Sequence, residues 1–250
     1  YNSNYMGNKN NNINLQISNE WKNTFPGATV GLLVIKNTIN PQKSSALDNE
    51  MKNVENEIRN RFSDSGREGI RGLNTIKAYT QHYKKFKKSY HVMLQLESIA
   101  LKNRNLPRIS SLVSAMFTAE LKNQLLTAGH DLSKLKFPIE LNTSKGNESY
   151  IGMNGNAQKL NENDMYISDS EGIISSIIYG PDKRTSITSS TKDVVFTVYG
   201  TAGISPEQIN QHLEDISLYV SMISSESITD TIQIYNNYVM KKLIIFLILL

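Results

Sequence analysis

Cysteine is absent from all 250 residues. That excludes a disulfide framework, a thiol nucleophile, an iron–sulfur cluster and Cys-ligated zinc, and it suits a reducing, cytoplasmic compartment. Long apolar runs are also missing: the longest, Leu243 to Leu250, falls far short of the roughly 20 residues that span a bilayer. There is no Gly-x-Ser-x-Gly elbow, no Walker loop and no dinucleotide fingerprint, and the pair Gly152 and Gly155 is too sparse to cradle a phosphate. His82, His91, His130 and His212 lack the i, i+4 spacing of a helical zinc site, and Asp164, Asp169 and Glu171 fail the calcium-loop spacing. No metal and no cofactor is expected.

An excess of one charge sign is lacking overall, since the net charge is only +4. Its distribution is uneven. Arg71, Lys77, Lys84, Lys85, Lys87, Lys88, Lys102, Arg104 and Arg108 are set against the single acid Glu97, so the remaining residues carry a net negative charge. A basic stretch in an acidic remainder marks an anion-binding face, with phosphate backbones as the commonest partner, or else a solvated helix surface. Tyr83, Phe86 and Tyr90 interleave with the lysines as stacking surfaces for unpaired bases, or as core.

The apolar fraction of 39% with 14 glycines describes a globular chain. Ala28 to Ile35 reads as a strand buried on both faces. Leu47, Met51, Val54, Ile58 and Phe62 then repeat at helical spacing behind a Ser44 or Ser45 cap. Helical patterns continue through Ile70 to Tyr83, Met93 to Ile99 and Ile109 to Met116. From Leu132 the pattern becomes short strands: Phe137 to Leu141, Tyr150 to Met153, Met165 to Ser168, Gly172 to Tyr179 and Val194 to Tyr199. Ser205, Pro206 and Gln208 place a capping box before a last helix, and Thr231 to Tyr235 reads as an edge strand.

The expected class is α+β: one module with a helical N-terminal half and a mixed or antiparallel, sheet-rich C-terminal half. Eight of the first twenty residues are Asn, so residues 1–20 read as a disordered leader, 21–236 as the module and 237–250 as an apolar tail, truncated or run-on rather than a membrane anchor.

Two segments resemble a known family. Leu106-Pro107-Arg108-Ile109-Ser110-Ser111-Leu112-Val113, running on to Ala128-Gly129-His130-Asp131-Leu132, and Asp182 to Phe196 with its Thr188-x-x-Thr191-Lys192-Asp193, are similar to the tRNA-binding editing module of the phenylalanyl-tRNA synthetase beta chain. Pro26-Gly27-Ala28 and Arg59-x-Arg61-Phe62 are similar to free-standing versions of that module. The resemblance implies recognition of the aminoacylated 3′ end of tRNA and hydrolysis of a wrongly attached amino acid in trans, with no aminoacylation by this chain alone. No DNA and no membrane partner is implied. A non-catalytic RNA-binding module, or a binder or hydrolase of a free amino-acid derivative, stands as the alternative.

The chain departs from the synthetase pattern at Ala128, where the family has a supporting His, and near Arg184 to Ser186, where it has an acid. The candidate catalytic residues are His130, to orient a water or the ester carbonyl, and Arg184, to meet a phosphate or the terminal ribose. Ser110, Asp131, Thr185, Thr188 and Thr191 are candidates for substrate binding, with a turn cap at Ser133 as the other reading of Asp131. Lys84, Lys85, Lys87, Lys88 and Arg108 are candidates for RNA contacts.

Overall fold

The computed structural model describes residues 13–238. In chain order these form β1 (Leu15–Ile17), α1 (Asn19–Thr24), β2 (Thr29–Lys36), α2 (Ser45–Arg61), α3 (Gly66–Gly72), α4 (Asn74–Lys84), α5 (His91–Lys102) and α6 (Ser111–Asn123). The second half adds β3 (Thr127–Asp131), β4 (Ile139–Lys145), β5 (Ser149–Ile151), β6 (Ala157–Lys159), β7 (Glu162–Asp169), β8 (Gly172–Ser176) and β9 (Gly180–Pro181). It closes with β10 (Val194–Gly200), α7 (Pro206–Ile223) and β11 (Ile228–Asn236). The run of helices α2 to α6 followed by the run of strands β3 to β10 makes this an α+β fold.

One sheet runs β11-β2-β10-β3 and is antiparallel throughout. Its central strands, Thr-Val-Gly-Leu-Leu-Val-Ile-Lys and Val-Val-Phe-Thr-Val-Tyr-Gly, are continuous apolar runs because elements cover both faces. The second sheet runs β1-β4-β7-β8-β9, with β1 parallel to β4 and the other pairs antiparallel. A short β5-β6 hairpin stands apart from both.

α7 begins with the capping box at Ser205 and Gln208 and lays Ile209, Leu213, Ile216 and Val220 on the first sheet. Each such side chain contributes about 1.5–3 kcal/mol when fully buried. Gly31 permits the approach: a Cβ there would stand 2.5 Å from the Ile209 Cγ2. α2 starts behind Ser44, whose hydroxyl accepts from the Leu47 N–H at 3.4 Å.

Residues 13–20 differ from the expected leader. Ile13 and Leu15 are buried, β1 pairs with β4, and the Gln233 side chain bonds both the Leu15 N–H and the Ile13 carbonyl. Their Asn-rich composition hid a three-residue strand, too short for any period to register. Residues 1–12 and 239–250, the rest of the expected leader and nearly all of the expected tail, lie outside the described residues. Among the described residues, no helix is long and apolar enough to cross a membrane.

Candidate functional site

The N-terminus of α6 is capped from a distant loop. The Ser111 N–H donates to the Pro41 carbonyl at 3.0 Å and the Leu112 N–H to the Asn40 Oδ1 at 2.9 Å. Thus held, α6 turns Val113, Met116, Phe117 and Glu120 to one face at i, i+3, i+4 and i+7. That face, the start of β3, the β8–β9 turn and Ile187 line a largely apolar, partly open cavity of 390 Å³. His91 and Gln95 of α5, Ser110 and Met153 of the β5–β6 hairpin contribute to its walls.

Glu120 is the one carboxylic acid in that lining and is 1% exposed. α6 ends in a left-handed residue, Gln124, and the chain doubles back so that the Thr127 N–H donates to the Glu120 Oε2 at 2.9 Å. The other oxygen, Oε1, is buried with no hydrogen-bond partner. Burial pushes the carboxyl up to about 8, against the smaller lowering effect of the Thr127 N–H. Near neutral pH it therefore exists in both protonation states, which fits a group that takes and returns a proton.

A directional chain fixes Thr127. The Asn123 Nδ2 donates to the Asp215 Oδ2 at 2.8 Å and to the His212 Nδ1 at 3.1 Å. His212 therefore carries its proton on Nε2 and donates to the Thr127 Oγ1 at 2.7 Å, and that hydroxyl donates to the Leu125 carbonyl at 3.1 Å. Burial lowers His212 to about 3, so it stays neutral.

The other end of β3 carries the residues singled out from sequence. His130 is fully buried and is not among the cavity-lining residues. Thr185 donates its hydroxyl proton to the Asp182 Oδ1, so the His130 Nδ1–H donates to the Thr185 Oγ1 at 2.7 Å, and Nε2 is left without a partner in the interior. Burial lowers this imidazole to about 3. Asp131 acts as a cap: Oδ1 accepts from the Ser133 N–H and hydroxyl at 3.0 and 2.6 Å, and Oδ2 from the Thr191 hydroxyl at 2.7 Å. The Thr188 N–H donates to the Thr191 Oγ1 at 2.9 Å.

Arg184, expected to face a phosphate or ribose, meets three carboxylates instead. It grips Asp169 with both terminal nitrogens at 2.7 and 3.0 Å and lies 3.4 Å from Glu171 and 3.7 Å from Asp182. Burial alone would raise Asp169, but Arg184 and the Lys136 and Glu171 N–H groups hold it below the ordinary carboxylate range.

The B3/4 domain family model matches residues 75–227, more than half of the chain. The chain belongs to the B3/4 domain family. No curated protein matches. Among solved structures, an N-terminal fragment of the phenylalanyl-tRNA synthetase beta subunit from Pyrococcus horikoshii is similar at 11% identity and a TM-score of 0.45. The match covers 89% of this chain and 50% of that one, so this chain spans about half the length of the fragment.

Every residue of the cavity wall lies inside the matched B3/4 region. Ser110, the N-cap of α6, is the one substrate-binding candidate from sequence that the cavity wall includes. Arg108 is committed to structure, bonding the Glu55 Oε1 at 3.1 Å and the Leu106 carbonyl at 3.0 Å. Tyr83 and Tyr90 are core residues, with hydroxyls bonded to the Ile177 and Gln124 carbonyls, so neither is a surface for bases. The four lysines are exposed and divide between two grooves: Lys84 and Lys88 line one, Lys85 and Lys87 another. Glu120 escaped the sequence reading, although an acid on the apolar Val113-Met116-Phe117 face was a visible signal.

Proposed function

We propose that this B3/4 domain takes the aminoacylated 3′ end of a tRNA into the α6 cavity and hydrolyses the ester in trans. The observation that carries this reading is the buried, unpartnered Oε1 of Glu120, the one acid in the wall of an apolar, partly open cavity. A buried carboxyl oxygen without a partner is costly, and such sites are kept where a ligand completes them. The volume lies within the range of small-ligand pockets, about 300–1,000 Å³.

In this reading the amino-acid side chain rests on Val113, Met116 and Ile187. Ionised Glu120 removes a proton from a water whose oxygen attacks the ester carbonyl. The bond to the ribose oxygen breaks, and that oxygen receives the proton. An aminoacyl ester is labile, so a positioned water suffices without a covalent nucleophile. Arg184 and His130 support the end of β3 rather than touch the substrate.

A second reading, a non-catalytic RNA-binding module, is favoured by the engagement of both Arg184 and His130 in internal bonds. Deacylation of a panel of mischarged tRNAs by the full chain, beginning with tyrosyl-tRNA(Phe), separates the two. Turnover above the spontaneous rate that disappears in Glu120→Gln supports hydrolysis. tRNA binding without turnover would leave the binder.

A further inference from the structure

Outside the cavity, a concave surface beside α4 carries only basic charge. α4 presents Lys77, Gln81 and Lys84 at i, i+4 and i+7, a rise of about 10 Å from first to last. Lys88 follows after a turn in which Lys87 is left-handed, with φ 55°. With Arg71 these residues line a groove of 530 Å³ whose walls include no carboxylate-bearing residue. Arg71 is paired with Glu97 at 3.1 Å. Among the described residues, Lys77, Lys84 and Lys88 have no ion-pair partner. Three free ammonium groups along one concavity repel each other and concentrate anions.

The groove and the cavity flank α5, which gives Met93 to the groove and His91 and Gln95 to the cavity. Tyr90 lines the groove and the next residue, His91, lines the cavity; Met93 and Gln95 repeat that division one turn on. The Lys88 Nζ lies 5.0 Å from the centre of the Tyr179 ring, and Tyr179 stands in sequence between Ile177 and Gly180 of the cavity wall. Lys85 and Lys87 face elsewhere, towards Asn161, Glu162 and Asn163.

We infer that the Lys77–Lys84–Lys88 groove is the track for the phosphodiester backbone of the RNA strand whose 3′ end enters the cavity. The inference rests on the RNA reading above and divides the four clustered lysines into two that bind phosphate and two that do not.

The test is binding of deacylated bulk tRNA by the full chain, measured by fluorescence anisotropy from about 50 to about 200 mM salt. All four lysines are exposed, so Lys84→Gln/Lys88→Gln and Lys85→Gln/Lys87→Gln should both fold. The first pair is expected to weaken binding on the order of tenfold and to flatten the log–log salt slope by about 1.4–1.8, the share of two phosphates. The second pair is expected to stay within about twofold of wild type with its slope unchanged. Equal losses in the two pairs, an unchanged slope in the first, or no tRNA binding by wild type overturns the inference.

A parallel titration with 2′(3′)-O-aminoacyl-adenosine, which has an ester and no phosphate track, separates the two readings. Binding of that ester without tRNA binding sinks the groove and spares the cavity; the split between lysine pairs without ester binding does the reverse.

Discussion

The two ends of strand β3 hold buried polar clusters of opposite character. At the Asp131 end, Arg184, Asp169, Asp182, Thr185 and His130 bond one another, and three carboxylates surround one guanidinium. At the Thr127 end, Glu120 borders a cavity, is held by one N–H and leaves its second oxygen without a hydrogen-bond partner. The first cluster has the residue types of an active site and spends them largely on one another; the second has one acid beside a cavity. Residue type therefore says less about function than whether the bonding capacity of a group is already used.

The largest expected effect comes from removing the bare oxygen's chemistry. Glu120→Gln keeps the shape of the side chain and is expected to lower deacylation by about 10²- to 10⁴-fold. The wild-type rate, corrected for spontaneous hydrolysis, should rise with pH through about 8, because the base acts only when ionised. A variant that retains wild-type turnover and this pH profile would remove Glu120 from the reaction.

The same group makes folding pH-dependent. Its folded value of about 8 stands above the ordinary 4.5, so the folded state holds the proton more tightly. Stability is then greatest at or below about pH 4.5 in this contribution and declines as pH rises towards 8. Asp164, pushed up to about 7 by burial, acts with the same sign. Urea titrations at pH 6 and pH 8.5 should show wild type losing stability at the higher pH, and Glu120→Gln losing distinctly less. Equal losses would mean that Glu120 is not protonated when folded.

At the other end the expectation reverses. Arg184→Ala removes the guanidinium from Asp169, which keeps the Lys136, Glu171 and Gly172 N–H groups as donors. With Arg184 a third exposed, the cost is about 1–2 kcal/mol by chemical denaturation, with turnover of the folded protein within a few-fold of wild type. Lost turnover at full stability would restore the ligand-facing role read from the sequence.

The difference between the two ends also explains which features were legible. α2 and α7 announce themselves by strict periodicity and capping residues, and β2 by its apolar run, because each faces a core that demands those side chains. β3 does not: Thr-Ala-Gly-His-Asp is buried throughout, yet two of its residues are small and three are polar groups that bond to distant segments. Spacing groups Ile109 with the α6 helix, but Ser110 is the cap, leaving Ile109 exposed beside the cavity. The basic segment resolved in part, since its lysines are on the surface while Tyr83 and Tyr90 fill the core. Partners of a charged group depend on contacts many residues away, which local patterning does not encode.

The smallest effect separates the ends most finely. Gly129 lies between them on β3, pairs with Phe196 and lines the cavity wall. Its backbone is not left-handed, so alanine is strained only by what its methyl meets: the Ile187 Cδ1 at 2.8 Å, the Phe196 Cε1 at 3.2 Å and the Met116 Sδ at 3.3 Å. All three are side-chain atoms, and Ile187 and Met116 are mobile enough to give way into the cavity. Gly129→Ala should cost about 1 kcal/mol, towards the lower end of overpacking. It should also shift preference within a series of mischarged tRNAs towards smaller amino acids, because the yielding side chains occupy the space where a bulky one would rest. Loss of stability with an unchanged amino-acid preference would show that the wall formed by Ile187 and Met116 does not select the side chain, and the substrate pocket would have to be sought beyond Gly129.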